Sequence, residues 1–166
     1  MELINKVAQS GLITIDLEDF FPQGEILVFD LKDFLFRGLI LKEVEFRAAL
    51  KQFDFSMYKD KTVAVYCSSD AIIPQWAYML AVVYLSAQTS AICFGSKEEV
   101  EYDLLLQNIK NMDATKYSGE KIVIKGCGTR TMTGEAYLEI TKKLHPVVKS
   151  LMFGEPCSTV PVYKKK

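Results

Sequence analysis

Apolar positions along the chain group into short blocks of two alternating kinds. Thr62-Val63-Ala64-Val65-Tyr66 is a brief β-rich run after the turn-like Lys59-Asp60-Lys61, and it predicts a strand. Pro74 to Ala87 is long and apolar with a proline near its start, which suits the first turn of a helix. Ser90 to Phe94 predicts a second strand, stopped by Gly95. Glu98 to Met112 places Val100, Leu104, Leu105 and Ile109 at helical spacing. Lys121-Ile122-Val123-Ile124 predicts a third strand, Gly134 to Leu144 a helix, and Val147 to Phe153 a fourth strand stopped by Gly154. Strands alternating with helices through short links predict βαβ units and an α/β fold with a mostly parallel central sheet and helices on both faces.

The first forty residues follow this pattern less closely. Leu12 to Leu17 alternates at period two and predicts a strand, and Glu25 to Phe29 predicts another. A helix is expected to follow, broken at Gly38 and running toward Phe53. Ser158 to Tyr163 reads as extended, with Pro161 confining it to a sheet edge or to no strand. Lys164, Lys165 and Lys166 read as a solvated tail.

The chain also resembles itself at an offset of 59. Lys51, Asp54, Tyr58, Ala77, Tyr78, Leu85, Phe94 and Gly95 meet Lys110, Asp113, Tyr117, Ala136, Tyr137, Leu144, Phe153 and Gly154. Eight identities in that ungapped stretch exceed the roughly two or three that composition gives, the mark of a repeated unit. Convergence of two similar βαβ units stands as the alternative. The expected organisation is one domain over 1–166, with an N-terminal extension over 1–40 and similar halves at about 41–96 and 100–155.

Composition narrows the classes. At 166 residues, 49% hydrophobic and 25% charged, the chain suits a globular domain that folds without disulfides or metal. Twenty basic against 21 acidic residues give a net charge of −1, which argues against nucleic-acid binding. No apolar run reaches the roughly 18 residues of a membrane span. The start Met1-Glu2-Leu3-Ile4-Asn5-Lys6 lacks the order of a secretory signal, so a cytoplasmic protein is expected.

Ligands of open parallel sheets bind beyond the carboxyl ends of the strands. The residues expected there are Cys67-Ser68-Ser69-Asp70, Gly126-Cys127-Gly128-Thr129-Arg130 and Gly154-Glu155-Pro156-Cys157-Ser158-Thr159. Three of the four cysteines thus follow strands, whereas Cys93 lies inside one. Cys67, Cys127 and Cys157 are candidate ligands of zinc or an iron–sulfur species, with Asp70 or Glu155 in support. Ser68, Ser69 and Gly128 lie in turns that open helices and are candidates for holding an anion through backbone N–H groups. The same thiols could instead serve sulfur or redox chemistry, or be small residues in tight turns. There is no Cys-x-x-Cys pair, and a disulfide framework does not suit a cytoplasmic chain.

Other chemistry is poorly served. His145 is the single histidine and precedes Pro146 at a helix end, which disfavours Ser-His-Asp and Cys-His hydrolysis. Asp16, Glu18 and Asp19 form an acidic cluster that a solvated strand end explains as well as a ligand does. The helix with Trp76, Met79, Val82 and Val83 is apolar all round, which predicts a central position or a subunit interface.

Several stretches carry a resemblance: Ile4-Asn5-Lys6-Val7-Ala8, Ser10 to Phe20, Trp76-Ala77-Tyr78-Met79-Leu80, and Pro146 to Pro161 with Gly154-Glu155-Pro156-Cys157. In these the chain resembles, over essentially its whole length, bacterial domain-of-unknown-function family 2480. The family has no assigned activity. Its members are often encoded beside the sulfur-mobilisation machinery for iron–sulfur cluster assembly, so the resemblance implies a thiol role for Cys67, Cys127 and Cys157. It also implies iron–sulfur assembly proteins as partners.

Three functions follow as expectations. The first is an accessory, non-catalytic thiol protein binding a metal ion or iron–sulfur species at the carboxyl rim. The second is an interaction scaffold, a homodimer through the Pro74–Ala87 helix. The third is a small thiol enzyme that accepts sulfur, with Cys157 as its candidate catalytic residue.

Overall fold

The computed structural model describes residues 11–126 and 128–166. The described residues form seven strands and four α-helices, in the order β1 (Leu12–Ile15), β2 (Ile26–Asp30), α1 (Glu43–Gln52), β3 (Thr62–Tyr66), α2 (Gln75–Leu85), β4 (Ile92–Phe94), α3 (Lys97–Asn111), β5 (Lys121–Lys125), α4 (Gly134–Leu144), β6 (Ser150–Glu155) and β7 (Ser158–Lys164). The class is α/β, as the alternation predicts, and the single central sheet is corrected to two. One sheet has the order β2-β3-β4, the other β1-β5-β6-β7. The chain divides into two compact units, the first holding the described residues up to Phe21 with Leu104–Lys166, the second Pro22–Asp103.

In the second unit β3 pairs in parallel with β2 on one side and β4 on the other. Val63, Ala64 and Val65 in β3 are all buried, so this strand is covered on both faces, which explains its unbroken apolar run. Phe29 of β2, Phe46 and Leu50 of α1, and Ala77, Ala81 and Leu85 of α2 close the same core. α2 buries only Ala77, Ala81 and Leu85 fully, with Trp76, Leu80 and Tyr84 packed beside them in part. Met79 and Val83 stay 70% and 68% exposed, so the helix is one-sided although apolar all round.

In the first unit β5 pairs in parallel with β1 and β6, and Ile122, Val123 and Ile124 are likewise buried. β7 returns antiparallel to β6, and the register slips between Leu151 and Met152, opposite Tyr163 and Pro161. A bulge beside Pro161 fits a residue that cannot donate to the ladder.

The ends of elements account for the differences from the sequence reading. The run Leu12–Leu17 stops as a strand at Ile15 because Asp16 caps a 3-10 turn, Leu17–Phe20, accepting the Glu18 N–H at 2.9 Å. Asp30 ends β2 in the same way, accepting the Lys32 N–H at 2.9 Å above the turn Leu31–Phe34. The broken helix expected from there to Phe53 is replaced by a turn with Arg37 and Gly38 at positive φ, and α1 starts only at Glu43. The expected strand Val147–Phe153 begins at Ser150, since the N–H groups of Val147 and Val148 both bond the Leu144 carbonyl. Gly154 continues that strand instead of stopping it.

Candidate functional site

The carboxyl end of β3 in the second unit carries Cys67. The next residue, Ser68, donates its N–H to Asp30 Oδ1 at 3.0 Å, so the loop after β3 is tied to the end of β2. Cys67 Sγ stands 3.4 Å from Ser69 Oγ, which in turn accepts the Ala71 N–H at 3.3 Å. The thiol is half-buried against the core. Tyr78 of α2 meets Phe94 edge to face at 5.4 Å, and burial, then the charges of Cys67 and Asp30, push its hydroxyl pKa up. Burial alone would raise the Asp30 carboxyl, but hydrogen bonds from Ser68 and the Lys32 N–H outweigh it and hold it below the usual range.

The carboxyl ends of β1 and β5 in the first unit open on a cleft of about 430 Å³. Lys125, the last residue of β5, places its Nζ 2.6 Å from Asp16 Oδ2. Glu18 accepts the Arg130 N–H at 2.6 Å and the Thr129 hydroxyl at 3.0 Å. Gly126 and Gly128 line the same cleft. A Cβ on Gly126 would come 2.7 Å from the Phe153 ring, and one on Gly128 would strike the Glu18 carboxylate. Burial pushes Asp16 up, yet the Lys125 hydrogen bond and the Glu18 N–H hold it low, and the Arg130 N–H does the same for Glu18. Lys125 is raised, first by its hydrogen bond to Asp16.

The candidates singled out in sequence fall on two sheets. Cys67, Ser68 and Ser69 follow a strand of the β2-β3-β4 sheet, and Asp70 beside them is exposed in a groove with Leu39, Ile40 and Ile72. Gly128 lines the cleft of the other unit. Glu155 ends β6, and Cys157 is exposed in the two-residue turn between β6 and β7. The expectation that three thiols share the rim of one sheet is therefore corrected for Cys67 and Cys157, because β3 and β6 belong to different sheets. Cys127 lies outside the described residues. Among the described residues no group of three or more His, Cys, Asp and Glu side chains comes together that could hold a metal ion. Cys93 is half-buried within β4, and burial pushes its thiol up. His145 caps α4 and packs edge to face on Tyr163 at 5.3 Å.

The chain matches the model of a family described as "Protein of unknown function (DUF2480)" over residues 1–165. The chain belongs to this family. No curated protein and no solved structure matches it. Among the described residues no helix is long and apolar enough to cross a membrane. Sequence reasoning missed Asp30 and Lys125 as organisers of the two strand ends. The available signal was the pair Ile15-Asp16 and Phe29-Asp30, in each of which an aspartate follows a buried strand residue and can bond the N–H two positions on.

Asp16, Glu18 and Asp30 give an acid-side prediction. A carboxyl whose folded pKa is lowered stabilises fully above its unfolded value and loses that contribution as pH falls through the folded one. The melting temperature should hold from neutral pH to about pH 4 and then fall steeply. In Asp30→Asn the melting temperature at neutral pH should start lower and the acid-side fall should be shallower, which a thermal-melt series over pH checks.

Proposed function

We propose that this chain is an accessory, non-catalytic thiol protein whose working sulfur is Cys67. The supporting observation is the placement of that sulfur, beyond the carboxyl end of a parallel strand in a loop held by Asp30–Ser68 and Cys67–Ser69 contacts. Thiophilic species are the chemistry such a group takes: zinc, an iron–sulfur species, or sulfur itself. A metal on one thiolate needs further ligands, which a donor protein of iron–sulfur assembly would supply. Sulfur needs none. The thiolate attacks the outer sulfur of a persulfide, the S–S bond breaks, and the electron pair leaves on the donor's thiolate.

Metal and acid-labile sulfide, measured on protein purified without air or chelator, test this reading together with Cys67→Ser and Cys157→Ser. Metal or sulfide in proportion to protein is expected in the parent and in Cys157→Ser, and none in Cys67→Ser. Equal content in the Cys67→Ser variant would overturn it, and none in a parent offered Zn²⁺, Fe²⁺ and sulfide would overturn its metal form, leaving sulfur acceptance to be read by persulfide transfer. The interaction scaffold is the second reading, favoured by the uncharged outer face of α2 with Met79 and Val83. An empty parent that sediments as a dimer would turn the account toward it.

A further inference from the structure

We propose that the cleft at the ends of β1 and β5 binds a small organic oxyanion, a carboxylate or phosphate group carried on an apolar body, through Lys125. This site belongs to the other unit from the thiol loop, and the proposal does not depend on the thiol reading. Both acids that line the cleft already have donors. Asp16 accepts the Glu18 N–H at 2.9 Å and the Lys125 ammonium at 2.6 Å. Glu18 accepts the Thr129 hydroxyl and the Arg130 N–H. A cationic ligand would have to strip those bonds.

The donor side is fuller. An ammonium carries three N–H groups, and among the described residues Asp16 engages one of those on Lys125. Asp16 above all, and then Glu155 and Glu18, keep Lys125 charged. Arg130 adds a second cation, its guanidinium 4.1 Å over the Phe21 ring, and Thr131 a hydroxyl on the lining. The loop then enters the N-terminal end of α4, an eleven-residue helix whose dipole favours negative charge nearby. The rest of the wall is apolar, with Met132, Tyr137 and Phe153. Gly126 and Gly128 let the Phe153 ring and the Glu18 carboxylate lie close against the loop, where a Cβ would collide with them.

Glu18 acts as the clasp. It comes from the turn after β1 and holds the loop after β5 at two successive residues. It positions Thr129 and Arg130 without needing to touch the ligand.

Amide NMR titration of the full chain at low ionic strength tests this, with inorganic phosphate, benzoate and methylammonium as probes and sodium chloride as control. Benzoate or phosphate should shift Thr129, Arg130 and Thr131 saturably, and the tighter of the two names the head group. Methylammonium and chloride should leave these signals in place. Lys125→Met should lose about tenfold or more in affinity and Lys125→Arg should keep most of it. Arg130→Gln, at an exposed residue, gives an independent loss should Lys125→Met not fold. Glu18→Gln should broaden the Thr129 and Arg130 signals and weaken binding with Lys125 intact. No saturable shift with either anion, unchanged affinity in both Lys125→Met and Arg130→Gln, or tighter binding of methylammonium would overturn the proposal. The experiment reads no thiol, so its failure leaves the Cys67 reading standing.

Discussion

Phe29→Ala should lower the free energy of unfolding by about 3–5 kcal/mol, the range for removing a fully buried phenylalanine ring. Phe29 is 1% exposed and stands at the centre of an aromatic cluster in the second unit. Its ring lies 5.2 Å from Phe34, 5.7 Å from Phe53, 5.9 Å from Phe55 and 6.0 Å from Tyr58. Four ring neighbours cannot all move inward, so a cavity remains and the cost approaches the upper end. Phe29 also precedes Asp30, so loosening β2 there slackens the Asp30–Ser68 bond that steadies the thiol loop. Urea denaturation measures the loss, and faster alkylation of Cys67 in the folded variant measures the slackening. Phe29→Leu, which keeps most of the volume, should cost less than half as much. A cost under about 1 kcal/mol for the alanine variant would mean the cluster is not packed as described.

Gly154→Ala should be the most damaging single-methyl addition in the first unit, at roughly 2 kcal/mol or more. Gly154 has φ +124°, a backbone region that side chains rarely enter. An added Cβ would stand 2.5 Å from the Ser158 carbonyl oxygen and 3.4 Å from Thr159 Cα. Both are backbone atoms of β7, so no rotamer change relieves the clash and the two strands must part. The hairpin that presents Cys157 would open, and β7 would lose its pairing with β6. Gly134→Ala is the control. It opens α4, meets nothing within 4 Å, and should be neutral or slightly stabilising. Thermal melts of both variants check the contrast, and equal melting temperatures would contradict the geometry.

Much of the fold is legible along the chain because its central strands are buried on both faces. Val63-Ala64-Val65 and Ile122-Val123-Ile124 read as strands from their unbroken apolar runs, and the helix Gly134–Leu144 is read to the residue. The strand ends in the first forty residues are harder. Asp16 and Asp30 each end an apolar run by bonding an N–H two positions on, and a period-two reading takes such a polar residue for the outer face of a continuing strand. Sheet membership is not local at all. Leu12 pairs with Lys121, whereas Ile26, much nearer in sequence, pairs with Thr62. That choice puts the strands before Cys67 and Cys157 in different sheets, and no spacing between cysteines reports it. The loop Cys67–Ser69 is legible as a candidate because it follows a strand. In the cleft the loop Gly126–Arg130 is legible because it follows a strand, whereas the ion pair between Asp16 and Lys125 is not, since it joins residues far apart in the chain.

The most direct measurement of the central claim is peptide mapping by mass spectrometry of a Cys157→Ser protein after reaction with a cysteine persulfide donor. That background removes the exposed thiol that would otherwise dominate the reaction. The account predicts the mass of one added sulfur on the peptide containing Cys67, released by a thiol reductant and absent when Cys67→Ser is added. Added sulfur only on Cys93 or Cys127, with Cys67 unmodified and open to alkylation, would contradict it.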